Sequence, residues 1–133
     1  MERTVGIGFL PKFKGSDTLL LASTAAALDP LANLALALSA TGSPAVAVHL
    51  LPYVTAHGVS LEAKHSDTDL GIRRTGNHFT WLRSSDGWRA IHELILSLRG
   101  STAAHQYLDG PADEVTVMLS VGQYGEEVWQ RAG

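Results

Sequence analysis

Residues 86–100, DGWRAIHELILSLRG, place Trp88, Ile91, Ile95 and Leu98 at successive spacings of 3, 4 and 3. That spacing puts four large apolar side chains on one face of a 3.6-residue period, so an amphipathic helix is expected. Arg89 and Glu93 take its outer side, Ser85 or Asp86 supplies the N-cap, and Gly100 ends it. Upstream, residues 29–42, DPLANLALALSATG, read the same way. Asp29-Pro30 opens a helix, because a carboxylate satisfies first-turn N–H groups and proline is pre-set for the first helical position. Leu31, Leu34, Ala35 and Leu38 follow at helical spacing and Gly42 closes the segment. Leu36 lies among them, so this first helix is expected to be apolar over much of its girth and deeply buried.

Strand patterns surround both helices. Val5, Ile7 and Phe9 alternate, and residues 18–23 form a continuous apolar run suited to a central buried strand. Further strands are expected at 45–51, at 59–64 with one wet face, at 70–74, at 79–83, at 105–108 and through Val115, Val117 and Leu119. The two helices and their flanks repeat. Leu34 and Leu38 match Leu94 and Leu98 at an offset of 60, while Val59 and Leu61 match Val115 and Val117 at an offset of 56. The expected fold is therefore α+β in one domain, 1–133. It has two similar halves, about 1–64 and 65–133, each a ββαββ unit. Together they form an antiparallel sheet, or two joined sheets, with both helices packed on one face.

Composition narrows the function. The chain has 133 residues, 45% hydrophobic and 17% charged, enough to bury a core without staples. Ten basic residues are scattered against 13 acidic ones, for a net charge of −3. No stripe of Lys and Arg exists to neutralise phosphates, so nucleic acid is not an expected partner. No cysteine is present, which excludes disulfides and thiolate chemistry and fits a cytoplasmic location. The apolar stretch after Lys12 and Lys14 lies too far along to read as a signal peptide. A span through it would carry Asp29 and Asn33 in lipid, so no membrane association is expected.

The chemistry-bearing residues lack the spacing that catalysis or metal binding needs. Six histidines have no pair at i, i+3 or i+4 on a helix, so no metal is expected. Gly6-Ile7-Gly8 resembles part of a dinucleotide loop, but Pro11 stands where the third glycine belongs and no helix follows. No phosphate loop or nucleophile elbow occurs, and no catalytic residue or cofactor is assigned. The densest polar cluster is near the C-terminus: Tyr107, Asp109, Asp113, Glu114, Tyr124, Glu126, Glu127 and Trp129. Aromatics interleaved with carboxylates suit a surface that receives a basic protein partner.

The same region carries a resemblance. Gly87-Trp88 opening a helix, then His105-Gln106-Tyr107-Leu108-Asp109, then a strand ending Ser120-Val121-Gly122-Gln123-Tyr124-Gly125, is similar to small bacterial immunity proteins of polymorphic toxin and contact-dependent inhibition systems. It covers about a third of the chain. It implies a cytosolic inhibitor that binds one cognate toxin domain, for which the eight residues above are the expected contact. The alternative is a small ligand-binding or regulatory domain without catalytic activity.

Overall fold

The computed structural model describes residues 3–110 and 113–131. In chain order, β1 (Val5–Phe13) and β2 (Ser16–Ser23) form a hairpin, and a single 3-10 turn (Ala25–Ala27) leads into α1 (Leu28–Leu38). Then come β3 (Val46–Ala47), β4 (Val54–His57) and β5 (Ser60–His65). A second hairpin, β6 (Gly71–Thr75) and β7 (His78–Arg83), precedes α2 (Ser85–Leu96), β8 (Ala104–Tyr107) and β9 (Thr116–Val121). The chain then makes a 3-10 tail, Glu126–Arg131.

These strands build two sheets, one of the two expected arrangements, but of mixed strand orientation rather than antiparallel throughout. The first runs β4-β1-β2-β9-β8 and the second β3-β5-β7-β6. Both hairpins are antiparallel, but β9 runs parallel to β2 and β5 runs parallel to β7. The physical reason lies in chain exchange. Each hairpin is completed by strands from the other half, reached through long crossovers, and such connections permit parallel pairing where tight turns do not. The apolar run at residues 18–23 becomes the middle strand of the larger sheet, as its continuous hydrophobicity requires. Strand order and direction match between the sheets over four strands. Leu19 sits opposite Val117 and Phe79 opposite Leu61. The first half also carries β4, which pairs parallel to β1 and has no counterpart in the second.

One core joins the sheets and helices. The inner faces contribute Ile7, Leu19, Leu21, Leu119, Leu61 and Trp81, all buried. Phe9 of one sheet meets Phe79 of the other with ring centroids 5.7 Å apart. Both helices pack into this core, and His92 donates from Nδ1 to the Ala32 carbonyl across their contact at 2.8 Å. Trp88 stacks edge-on to Trp81 at 5.1 Å and donates its indole N–H to the Lys64 carbonyl. Burial pushes the Tyr53 phenol, just before β4, above its ordinary pKa by desolvation.

Several local expectations change. The cap of α2 is Ser84, whose Oγ accepts from the Gly87 N–H. Helix α1 begins at Leu28, so Asp29 lies inside the first turn and pairs across the surface with Arg99 at 3.3 Å. Leu36 points outward and is 47% exposed, because the buried stripe of α1 runs through Leu28, Leu31, Ala32, Ala35 and Leu38. The strand expected at 45–51 shortens to Val46–Ala47 before a 3-10 turn, Val48–Leu50. Among the described residues no helix is long and apolar enough to cross a membrane.

Ile95 is 4% exposed on the inner face of α2. Its replacement by Ala is expected to cost about 2–5 kcal/mol in urea unfolding, the range for a buried aliphatic. Leu36→Ala is expected to stay within about 0.5 kcal/mol, as surface positions do. An Ile95→Ala cost below about 1 kcal/mol would show that this face does not pack in the core.

Candidate functional site

The outer face of the larger sheet carries the C-terminal aromatic residues Tyr107, Tyr124 and Trp129. Side chains alternate along each strand, so residues opposite each other in the ladder share a face. One row across this face runs Thr55, Gly6, Ala22, Ser120 and His105, and the next runs His57, Gly8, Leu20, Met118 and Tyr107. The 3-10 tail lies over these rows. Val128 is buried against Leu10, Leu20 and Met118, with Tyr124 and Trp129 packed beside it. Tyr124 meets Phe13 edge-on at 5.5 Å.

Trp129 explains the glycine pair that fails as a dinucleotide loop. A Cβ built on Gly6 would lie 2.6 Å from Trp129 Cζ2, and one on Gly8 would lie 2.7 Å from Cζ3. Only glycine lets the indole approach β1 this closely. The ring also stacks on His57, with centroids 4.3 Å apart and planes within 9°. Residues near opposite ends of the chain thus meet in a single contact. Spacing within either segment carries no trace of it.

Beside the tail lies a groove of about 610 Å³. Its floor is made of small residues on the sheet, Gly6, Ala22 and Ser120, and its walls include His57, Trp129 and the loop at Ser101 and Thr102. It opens at the carboxyl ends of the parallel strands β2 and β9, a common place for ligands in sheets of this kind. Tyr124 and Glu126 complete it. Among the described residues Glu126 is its only carboxylate, and no Lys or Arg lines it. Sequence reading had assigned Tyr124, Glu126 and Trp129 to the contact surface but not His57, Thr55, Ser101 or Thr102. Their common wall is created by strand pairing alone.

The other expected contact residues divide by what they already hold. Tyr107 is 48% exposed on the same outer face, edge-on to His105. Glu127 is exposed on the tail. Asp113, by contrast, pairs with Arg83 at 2.8 Å and accepts from the Ile72 and Gly110 N–H groups. The two side chains are 1% and 10% exposed. Glu114 accepts from the Arg74 N–H on the edge of β6, and Asp109 accepts from the Val117 N–H. These three carboxylates tie the loop before β9 to strands. Arg83 also donates to the Leu108 carbonyl, so one guanidinium anchors both ends of that loop.

No histidine joins a metal-binding group among the described residues. The histidines instead hold structural partners: His49 Nδ1 lies 3.0 Å from the Leu61 nitrogen, and His65 Nε2 lies 3.0 Å from Ser85 Oγ. His105 Nδ1 donates to the Gln123 side-chain oxygen at 3.0 Å.

Asp113→Ala is expected to lower stability by about 3–5 kcal/mol, since it leaves the Arg83 charge buried and unpaired. Gly8→Val is expected to lift the indole off β1 and shift Trp129 emission toward the solvent-exposed spectrum while the core tryptophans stay unchanged. An unchanged spectrum would contradict the seat described above. Comparison with protein-family models, curated proteins and solved structures returns no match for this chain.

Proposed function

We propose that this protein is a cytosolic binding protein of the immunity type, which inhibits a cognate bacterial toxin domain through the outer face of its larger sheet. The observation that carries the reading is that Tyr124, Trp129 and Glu126 line one open groove, with Tyr107 exposed on the same sheet face. Partly exposed Tyr and Trp side chains are the residue types that anchor protein interfaces. Glu126 and Glu127 give the rim a negative charge that steers a basic partner toward it. Asp109, Asp113 and Glu114 hold the loop before β9 in place, through bonds to the chain's own N–H groups and to Arg83. We take the two halves as copies of one ββαββ unit; the shared strand order and the equivalent Leu19–Val117 and Phe79–Leu61 pairs support this.

The groove's volume also falls within the range of small-molecule sites, roughly 300–1,000 Å³. It therefore supports a ligand-binding domain as the second reading.

The two readings separate in a kinetic experiment with a candidate toxin domain, sought among the genes that neighbour this one. For an immunity-type inhibitor, joint Glu126→Gln and Glu127→Gln changes are expected to slow association and flatten its salt dependence, since rim charges act mainly on encounter. Tyr107→Ala is expected to speed dissociation, as loss of an interface anchor does. Failure of the chain to neutralise or bind that domain would remove the immunity reading.

A further inference from the structure

Each sheet ends in two edge strands, and among the described residues only one of these edges keeps two outward residues with both backbone groups free. On β6 the outward N–H groups of Ile72 and Arg74 are taken by the carboxylates of Asp113 and Glu114, and the Glu114 N–H donates back to the Ile72 carbonyl at 3.2 Å. β3 is two residues long. On β4 the Val54 N–H already donates to the Leu51 carbonyl at 3.0 Å, which leaves Ala56 as its one fully open outward residue. β8 is different. Leu108, just beyond it, donates to the Val117 carbonyl at 2.8 Å, and bonded and unbonded pairs alternate along an antiparallel ladder. Gln106 therefore bonds to β9, while the backbone N–H and C=O groups of His105 and Tyr107 point away from it. Among the described residues no hydrogen bond reaches these four groups.

We infer that β8 is a dimerisation edge, on which the β8 of a second copy of this chain adds antiparallel about a twofold axis through Gln106. In this register His105 faces Tyr107 of the second copy, and the same pair repeats across the axis. Each pair exchanges two backbone bonds, so all four open groups on each strand find partners. A shift by one residue would oppose outward groups to inward ones. Charge favours the chain's own copy. β8 reads Ala104-His105-Gln106-Tyr107, without a Lys, Asp, Glu or Pro of the kind that guards an edge. It offers a charged partner nothing to recognise and its own copy nothing to repel. Asp109, the nearest carboxylate in sequence, stands opposite Ala103 in this register and already accepts from the Val117 N–H. His105 and Tyr107 meet edge-on at 5.5 Å within one chain, and each gains an aromatic neighbour from the other. Two five-stranded sheets thus become one continuous sheet. The inference goes beyond the toxin-binding reading and does not depend on it, since the Tyr107 side chain stays on the sheet face while its backbone pairs at the edge.

Sedimentation equilibrium of the full chain, from about 10 μM to about 1 mM, is expected to show a reversible monomer–dimer equilibrium, weak because so short an edge makes a small contact. Two kinds of variant address the register. His105→Pro removes an outward N–H and no bond to β9, as proline does on an edge strand. It deletes two of the four backbone bonds of the dimer, one from each copy, so the dissociation constant is expected to rise about thirtyfold. Gln106→Lys and Gln106→Glu each place like charges opposite each other at the axis, where an unbonded pair brings side chains closest. Each homodimer is expected to weaken about fivefold at low salt, and an equimolar mixture of the two chains is expected to form the heterodimer in preference.

A chain that stays monomeric up to about 1 mM overturns the inference. So does a dimer that His105→Pro leaves intact, or a mixture of Gln106→Lys and Gln106→Glu chains that associates no better than either alone. Where His105→Pro lowers the urea midpoint, the mixing experiment decides by itself, because mixing does not repair a lost fold. A dimer retained by a chain that binds no toxin domain removes the wider binding reading and leaves the edge standing.

Discussion

Neither sheet of this protein is complete without strands from both halves of the chain. β2 has its outer-half partner in β9, and β7 has its partner in β5. An unpaired strand edge in the middle of a buried sheet would leave a row of N–H and C=O groups without partners, at a cost the fold cannot absorb. The exchange therefore forces the two halves to form together. It also explains why one core runs through both sheets and both helices, with Phe9 against Phe79 and His92 bonded to Ala32. The buried Arg83–Asp113 pair sits where the loop before β9 returns to the second sheet, and ties that loop to β7.

The same constraint places the candidate site. Because β9 lies beside β2, its outward residues Met118 and Ser120 extend a face begun by Leu20 and Ala22. β8 adds His105 and Tyr107 to that face, and β4 adds Thr55 and His57. The tail then crosses it, seated by Trp129 in the notch left by Gly6 and Gly8. Every wall of the groove is thus made by segments far apart in sequence. That gives a surface whose shape is fixed by the strand pairing of the larger sheet. Small residues, Gly6, Ala22 and Ser120, form its floor, and among the described residues Glu126 is the only carboxylate in its lining.

Elements whose signal is local were readable in the sequence. The α2 stripe of Trp88, Ile91, Ile95 and Leu98 is buried as its periodicity demands. The hairpin strands at 5–9, 18–23 and 79–83 fall inside β1, β2 and β7. Strand direction was not readable, because alternation looks the same in parallel and antiparallel ladders and only the crossovers decide between them. Leu36 misled because a Leu/Ala-rich helix has apolar residues on every side, so composition hides which face is inward. The acidic cluster has partners that no local pattern announces. Asp109, Asp113 and Glu114 each find an N–H donor or a guanidinium only when β6, β7 and β9 come together. The tail residues carried a real clue, since Tyr124 and Trp129 interrupt a polar stretch with no periodic face to join.

The pairing of β2 with β9 also governs how the chain must behave while it is being made. Ribosomes release protein from the first residue onward, so Leu19, Leu20 and Leu21 emerge long before Val117, Met118 and Leu119, which they need as neighbours. Until then the β1–β2 hairpin exposes an apolar strand edge of the kind that pairs with other chains. Such non-local pairing also makes for slow folding, because the loop must close before the contacts repay it. The newborn protein therefore passes through a window in which the β2 edge is open to other chains, and the arrival of β9 closes it.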